Sequence, residues 1–239
     1  MNVIRHFRHS LPLLYICALA GCVVTPVQKA EVKAPIDLKS GQPATTLGFT
    51  KIVTKIPLGD QIGTIQHGWW CLPGANINWR GGHLNITDEE LTDTFRRELE
   101  GRNYPIVGDP YALFGDPSQA SAEIFVAGLV TKLDIKVCFP FTGSPTLDFG
   151  NTSTVKGGAF MRVIWQVYSR KEGKVVRDIS TEGSFQTEET IAGGFPIILR
   201  NAFAANVRNL LADPGFHALV TGVGGNHSSS PPVTAPSGI

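Results

Sequence analysis

Ala122 to Phe139, AEIFVAGLVTKLDIKVCF, reads as one long β-strand. Phe125, Ala127, Leu129, Leu133, Ile135 and Val137 fall on one face, and Lys132, Asp134 and Lys136 on the other. That alternation has the period of a pleated strand with one face buried. Downstream, 140–156 is rich in Pro, Gly, Ser and Thr and reads as a loop. A hairpin follows. Met161, Val163, Trp165 and Val167 alternate along its first arm, Lys171-Glu172-Gly173 forms the turn, and Val175 to Phe185 forms the second arm. Gly193-Gly194-Phe195-Pro196 leads into a helix at about 197–212, with an apolar stripe of Leu199, Phe203, Val207, Leu210 and Leu211. Asp213-Pro214 ends it.

Upstream, Thr87 and Glu90 form a capping box, with Ile86 and Leu91 placed for a hydrophobic staple. Asp88, Glu89 and Glu90 complement the positive end of the helix dipole. Leu91, Phe95 and Leu99 make an apolar stripe, and Gly101 is a stop, so a helix is expected at about 88–100. Asn103 to Val107 reads as a short strand. Ile62 to Cys71 reads as another strand, Leu72-Pro73-Gly74-Ala75-Asn76 as a turn, and Ile77 to Trp79 as a short return strand. The expected class is α+β, a mostly antiparallel sheet with two amphipathic helices packed on one face.

The composition suits a folded domain, with 42% apolar and 17% charged residues. The N-terminal 21 residues carry Arg5 and Arg8 and no acid. The remainder therefore has 21 − 2 = 19 basic against 20 acidic side chains, a net −1. This balance gives no electrostatic case for nucleic-acid binding. After the basic start comes an apolar run, Leu11 to Ala20, interrupted by Pro12. It is about half the roughly twenty residues a membrane-spanning helix needs, and reads as a secretory signal.

The run ends in Leu19-Ala20-Gly21-Cys22. This resembles the lipobox of bacterial lipoproteins: Leu, a small residue, Gly or Ala, then Cys. The resemblance implies that the Cys22 thiol receives a diacylglyceryl group, that the chain is cut before it, and that the new amine is acylated. Such acyl chains contribute about 0.8 kcal/mol per buried CH₂. Val23 and Val24 follow where Asp would signal retention in the inner membrane, so the resemblance implies the outer membrane, with the domain facing the periplasm. The expected organisation is a signal peptide at 1–21, a flexible Pro-, Lys- and Thr-rich tether at 22–48, a globular domain at 49–221, and a disordered Gly-, Ser- and Pro-rich tail at 222–239. Element order and lipobox together are similar to the small α+β domains of envelope lipoproteins of the curli-secretion and TolB N-terminal type.

Cys17 leaves with the signal and Cys22 is lipidated, leaving Cys71 and Cys138. An even pair in an oxidising compartment reads as a disulfide, the alternative being two buried thiols. Each ends an expected strand, so they can meet at one end of the sheet. No CxxC or neighbouring Cys/His pair supplies a zinc site, and no cofactor motif occurs. Gly-x-Ser-x-Gly and HExxH are absent. Trp69, Trp70 and Trp79 cluster near the first turn, and one of Trp69 and Trp70 must face away from the core if both lie in a strand. With Phe141 in the 140–156 loop they are the candidate partner-binding residues, the alternative being that they sit beneath the linker. The functional expectation is a non-enzymatic binding or assembly component at the envelope, with the membrane and an envelope protein as partners. The alternative is a lipid-anchored hydrolase, protease-like or carbohydrate-acting, which requires His67 or His217 beside Ser or Asp in a cleft.

Overall fold

The computed structural model describes residues 26–81, 88–109, 117–140 and 154–222. Seven strands form one mixed sheet: β1 (Leu47–Thr54), β2 (Gln61–His67), β3 (Leu72–Asn78), β4 (Ile106–Val107), β5 (Ile124–Phe139), β6 (Thr154–Ser169) and β7 (Lys174–Ala192). Three helices accompany it: α1 (Asp88–Glu100), α2 (Gly194–Leu211) and α3 (Pro214–Thr221). β5, β6 and β7 make an antiparallel meander. The other edge of β5 is shared end to end: β1 lies parallel to its first half and β2 parallel to its second. β4 extends the sheet beside β1 in parallel, and β3 returns antiparallel along β2. Three of these six pairings are parallel, so the sheet is mixed rather than simply antiparallel. A helix more than expected is present, because Pro214 stops α2 and also starts α3, where Asp213 Oδ1 caps the Phe216 amide at 2.8 Å.

The expected face of β5 holds only for its second half. Leu133, Ile135 and Val137 are buried, but upstream the buried residues are Ile124, Val126 and Val130, while Phe125, Ala127 and Leu129 lie on the opposite side. The register against β6 slips between Val130 and Lys132, inserting Thr131 as a β-bulge. One extra residue exchanges the two faces of a strand.

α1 and α2 cover the buried face. Phe95 of α1 stacks on Phe49 of β1 at 4.5 Å and meets Trp165 of β6 at 5.8 Å, and Trp165 meets Phe203 of α2 at 5.8 Å. Glu98 of α1 accepts from both Nε and Nη2 of Arg208, tying the two helices together. α2 lies flush on β6 and β7. A Cβ at Gly183 would stand 2.4 Å from the Ala202 carbonyl oxygen and 2.5 Å from the Asn206 amide nitrogen, so only glycine admits the helix there. Beside it runs a buried chain of hydrogen bonds. Trp165 Nε1 donates to Thr181 Oγ1 at 2.7 Å, Thr181 donates to Asn206 Oδ1 at 3.0 Å, and Asn206 Nδ2 donates to the Met161 carbonyl at 3.0 Å.

Residues 26–46, expected to be a free tether, lie bound to the domain as a strap. Val27 and Ala30 pack with Phe160 on the outer face of the sheet. The Ala30 amide donates to Ser184 Oγ at 2.9 Å. The strap then turns around the β7 edge onto α2, where Asn209 Oδ1 accepts from the Lys33 amide and Nδ2 donates to the Glu31 carbonyl. Further on, Ile36 N bonds to Leu211 O, Leu38 N to Arg102 O and Thr45 N to Val220 O. Leu38 is buried. The sequence hides this because the strap is held by backbone amides and isolated apolar residues, which leave no periodic pattern. The Thr87 cap, the Ile86 staple and the 223–239 portion of the tail lie outside the described residues, and among those described no helix is long and apolar enough to cross a membrane.

Two predictions follow from this packing. Thr181→Val leaves the Trp165 N–H and Asn206 Oδ1 buried without their partner and is expected to cost about 2–3 kcal/mol, read from urea unfolding. Tyr104 fastens the strap by donating to the Ile36 carbonyl at 3.0 Å. Its phenol is pushed up to about 12, by burial first and then by the Asp37 carboxylate, with Arg102 opposing. The fold thus favours the neutral phenol. Its contribution is intact below the unfolded value of 10.0 and is lost as pH rises from there through about 12. Tyr104→Phe is expected to remove this component of alkaline unfolding, followed by circular dichroism.

Candidate functional site

β2 and the second half of β5 run in register from Gly63 against Ile135 to His67 against Phe139, so they finish together. The Gly68 amide closes the end by donating to the Phe139 carbonyl at 3.0 Å, and the His67 ring stacks on the Phe139 ring at 5.9 Å. The chain then reverses through Gly68, at φ 81°, and the Cys71 amide bonds back to the Gly68 carbonyl at 3.0 Å. Cys71 itself sits at φ 46°, a left-handed conformation that costs a non-glycine residue energy and persists only where its surroundings hold it. Its constraint is the disulfide to Cys138, with Cα atoms 5.5 Å apart. Both sulfur-bearing residues are buried.

This turn pushes Trp69 and Trp70 outward together. They are 71% and 69% exposed, and Leu72, the first residue of β3, is 62% exposed. The strand expected to reach Cys71 stops at His67, and the turn expected at 72–76 lies at 68–71. Pro73 and Gly74 instead sit inside β3, which is an edge strand among the described residues, a place where proline is tolerated. Both indoles therefore belong to one exposed tip, rather than one facing the core. Leu72, read in sequence as a turn residue, completes the apolar patch. Three large apolar side chains within four residues on a braced turn differ from the scattered exposed hydrophobes common on protein surfaces.

Trp79 is not part of this surface. It is 6% exposed, belongs to the main core, and lies at the far end of the hairpin, where its amide donates to the Asp60 carbonyl at 2.7 Å. Phe141 and Cys22 lie outside the described residues. His67 is exposed at the base of the tip. His217 lines a shallow depression with Asp37 and Ser40, and its Nδ1 is 2.9 Å from Tyr104 Oη. The imidazole is thus held by the same residue that fastens the strap. Glu188 and Glu189 are exposed positions near the end of β7. Among the described residues no three His, Cys, Asp or Glu side chains group to hold a metal ion.

No family model matches the sequence, and no curated protein matches it. Solved structures with partial likeness include a protein of family DUF330 from Xanthomonas campestris, 12% identical, covering 82% of this chain and 96% of that one at a TM-score of 0.37. The PelC dodecamer from Paraburkholderia phytofirmans is 11% identical, covering 77% and 97% at 0.32. The LpoB C-terminal domain from Salmonella enterica is 13% identical, covering 62% and 87% at 0.26. At these scores none establishes a shared family or activity.

The disulfide spans a sequence separation of 67. Closing a loop of that size stabilises by about 4 kcal/mol in the chain-entropy model. Reduction, or the paired change Cys71→Ser and Cys138→Ser, is expected to lower the urea midpoint accordingly, measured with and without reductant.

Proposed function

We propose that this chain is a lipid-anchored periplasmic lipoprotein that works as a non-enzymatic binding or assembly component of the cell envelope. In this reading the signal at 1–21 is removed, Cys22 carries the acyl chains, and Val23 and Val24 direct the protein to the outer membrane. The Trp69–Trp70–Leu72 tip is its contact surface. The observation that carries the reading is the exposure of two adjacent indoles on a turn locked by a disulfide. Rigid aromatic side chains of this kind make large contacts at small ordering cost. The disulfide also suits an oxidising compartment.

The strap sharpens the mechanism. Only residues 23–25 separate Cys22 from Pro26, the first described residue of the strap. The anchor therefore holds the domain on a short leash, which raises the local concentration of the tip near its partner and narrows its orientations. The expected outcome is that the N-terminal peptide recovered from membranes begins at Cys22 and carries three acyl chains by mass spectrometry. Cys22→Ser should abolish this species and leave an unprocessed precursor. An unmodified Cys22 in the native protein rejects the reading.

A further inference from the structure

We propose that Trp69, Trp70 and Leu72 are a membrane-seating tip, which enters the headgroup–acyl boundary of the same bilayer that holds the lipid on Cys22. This rests on the anchoring proposed above and names what the tip contacts.

Position is the first argument. Lys136 Nζ donates to the Pro26 carbonyl at 3.0 Å, and Lys132 Nζ donates to Gln28 Oε1 at 2.9 Å. From Pro26 to Gln28 the strap thus runs antiparallel to β5, away from the end of β5 that carries the tip. The strap enters the domain at the tip end. Lys136 is three residues from Phe139, about 10 Å along the strand. Cys138 is bonded to Cys71, the residue between Trp70 and Leu72. Four peptide steps from Pro26 to Cys22 reach at most about 14 Å. Chain connectivity alone therefore keeps the acyl-bearing residue close to the end of the molecule where the indoles project.

Chemistry is the second argument. An indole has an apolar ring and one N–H donor, the combination that concentrates tryptophan at membrane–water interfaces. Leu72 adds apolar depth beside the pair. The hairpin from Ile62 to Gly81 contains no Asp or Glu, so nothing in it repels anionic headgroups. Lys156, in register with Cys138, adds a cation at this end of the sheet. Glu188 and Glu189 stand across β6 on the β7 edge rather than on the hairpin. The brace supplies the third argument. The Gly68 bonds and the disulfide order the backbone that carries both rings before contact, so seating the turn costs little further backbone entropy.

The test uses the full-length, processed protein in vesicles of phosphatidylethanolamine and phosphatidylglycerol, doped with phosphatidylcholine brominated at chosen acyl depths. The protein has four tryptophans, and Trp79 and Trp165 are buried. Bromine quenching therefore reports Trp69 and Trp70. The expected result is quenching that is strongest for the shallowest bromines, with blue-shifted emission, both lost in Trp69→Phe/Trp70→Phe. Leu72→Asp should weaken the quenching while leaving near-ultraviolet circular dichroism unchanged. Emission that no bromine position quenches, and that aqueous iodide still quenches, overturns the proposal. The acylated Cys22 peptide is scored on the same sample, so loss of anchoring is seen separately. A photoreactive residue at position 72 supplies the last arm. Crosslinks to lipid support the proposal, whereas crosslinks to an envelope protein without bromine quenching overturn it and leave the binding reading standing.

Discussion

The carboxamide of Asn206 holds three elements in one place. From α2 it accepts from Thr181 on β7 and donates to the Met161 carbonyl on β6. Thr181 in turn takes the Trp165 N–H, so the largest fully buried side chain is fixed by the same chain of bonds. A buried polar network of this kind is favourable only when every member is satisfied, and here each bond is within 3.0 Å. The bare backbone at Gly183 is what lets the helix come close enough to make them. Apolar packing alone would allow α2 to slide along the sheet, whereas this arrangement sets its height and its rotation.

The setting of α2 passes directly to the strap. Asn209, three residues after Asn206, presents its side chain at the β7 edge. Its Nδ2 donates to the Glu182 and Glu31 carbonyls at 2.6 and 2.8 Å, while its Oδ1 takes the Lys33 amide at 2.9 Å. One side chain thus satisfies a carbonyl of the edge strand and staples a second segment over it. An open edge is otherwise a template for pairing with another chain. β5 performs the corresponding task across the sheet, since β1 and β2 follow one another along its edge and the Thr131 bulge lies between their two zones of pairing.

Strong local chemistry was legible in the sequence. The extent of α1, the Lys171–Gly173 turn and the meeting of Cys71 with Cys138 follow from capping residues, glycine and strand ends. The features that escaped are set by neighbours. A bulge is invisible in an alternating pattern when both faces carry apolar residues, as Phe125 and Leu129 do opposite Ile124 and Val126. β1 was not seen because its register against β5 breaks between Phe49 and Ile52, blurring its alternation. Pro73-Gly74 signals a turn locally but sits in an edge strand, with the reversal moved to Gly68 and Cys71. At the candidate site the two tryptophans were visible as residues, but their joint exposure required knowing where that turn falls.

The strap joins the two ends of the described chain: Thr45 bonds to the carbonyl of Val220 and Ile36 to that of Leu211. These pairs are separated by some 175 positions in sequence. During synthesis, Leu38 can meet Arg102 early, but the bonds of Ile36 and Thr45 must wait for the last part of the domain. Closing so long a loop is slow, and rewarded only when α2 and α3 are in place. The strap is therefore among the last parts of the domain to be fastened in full.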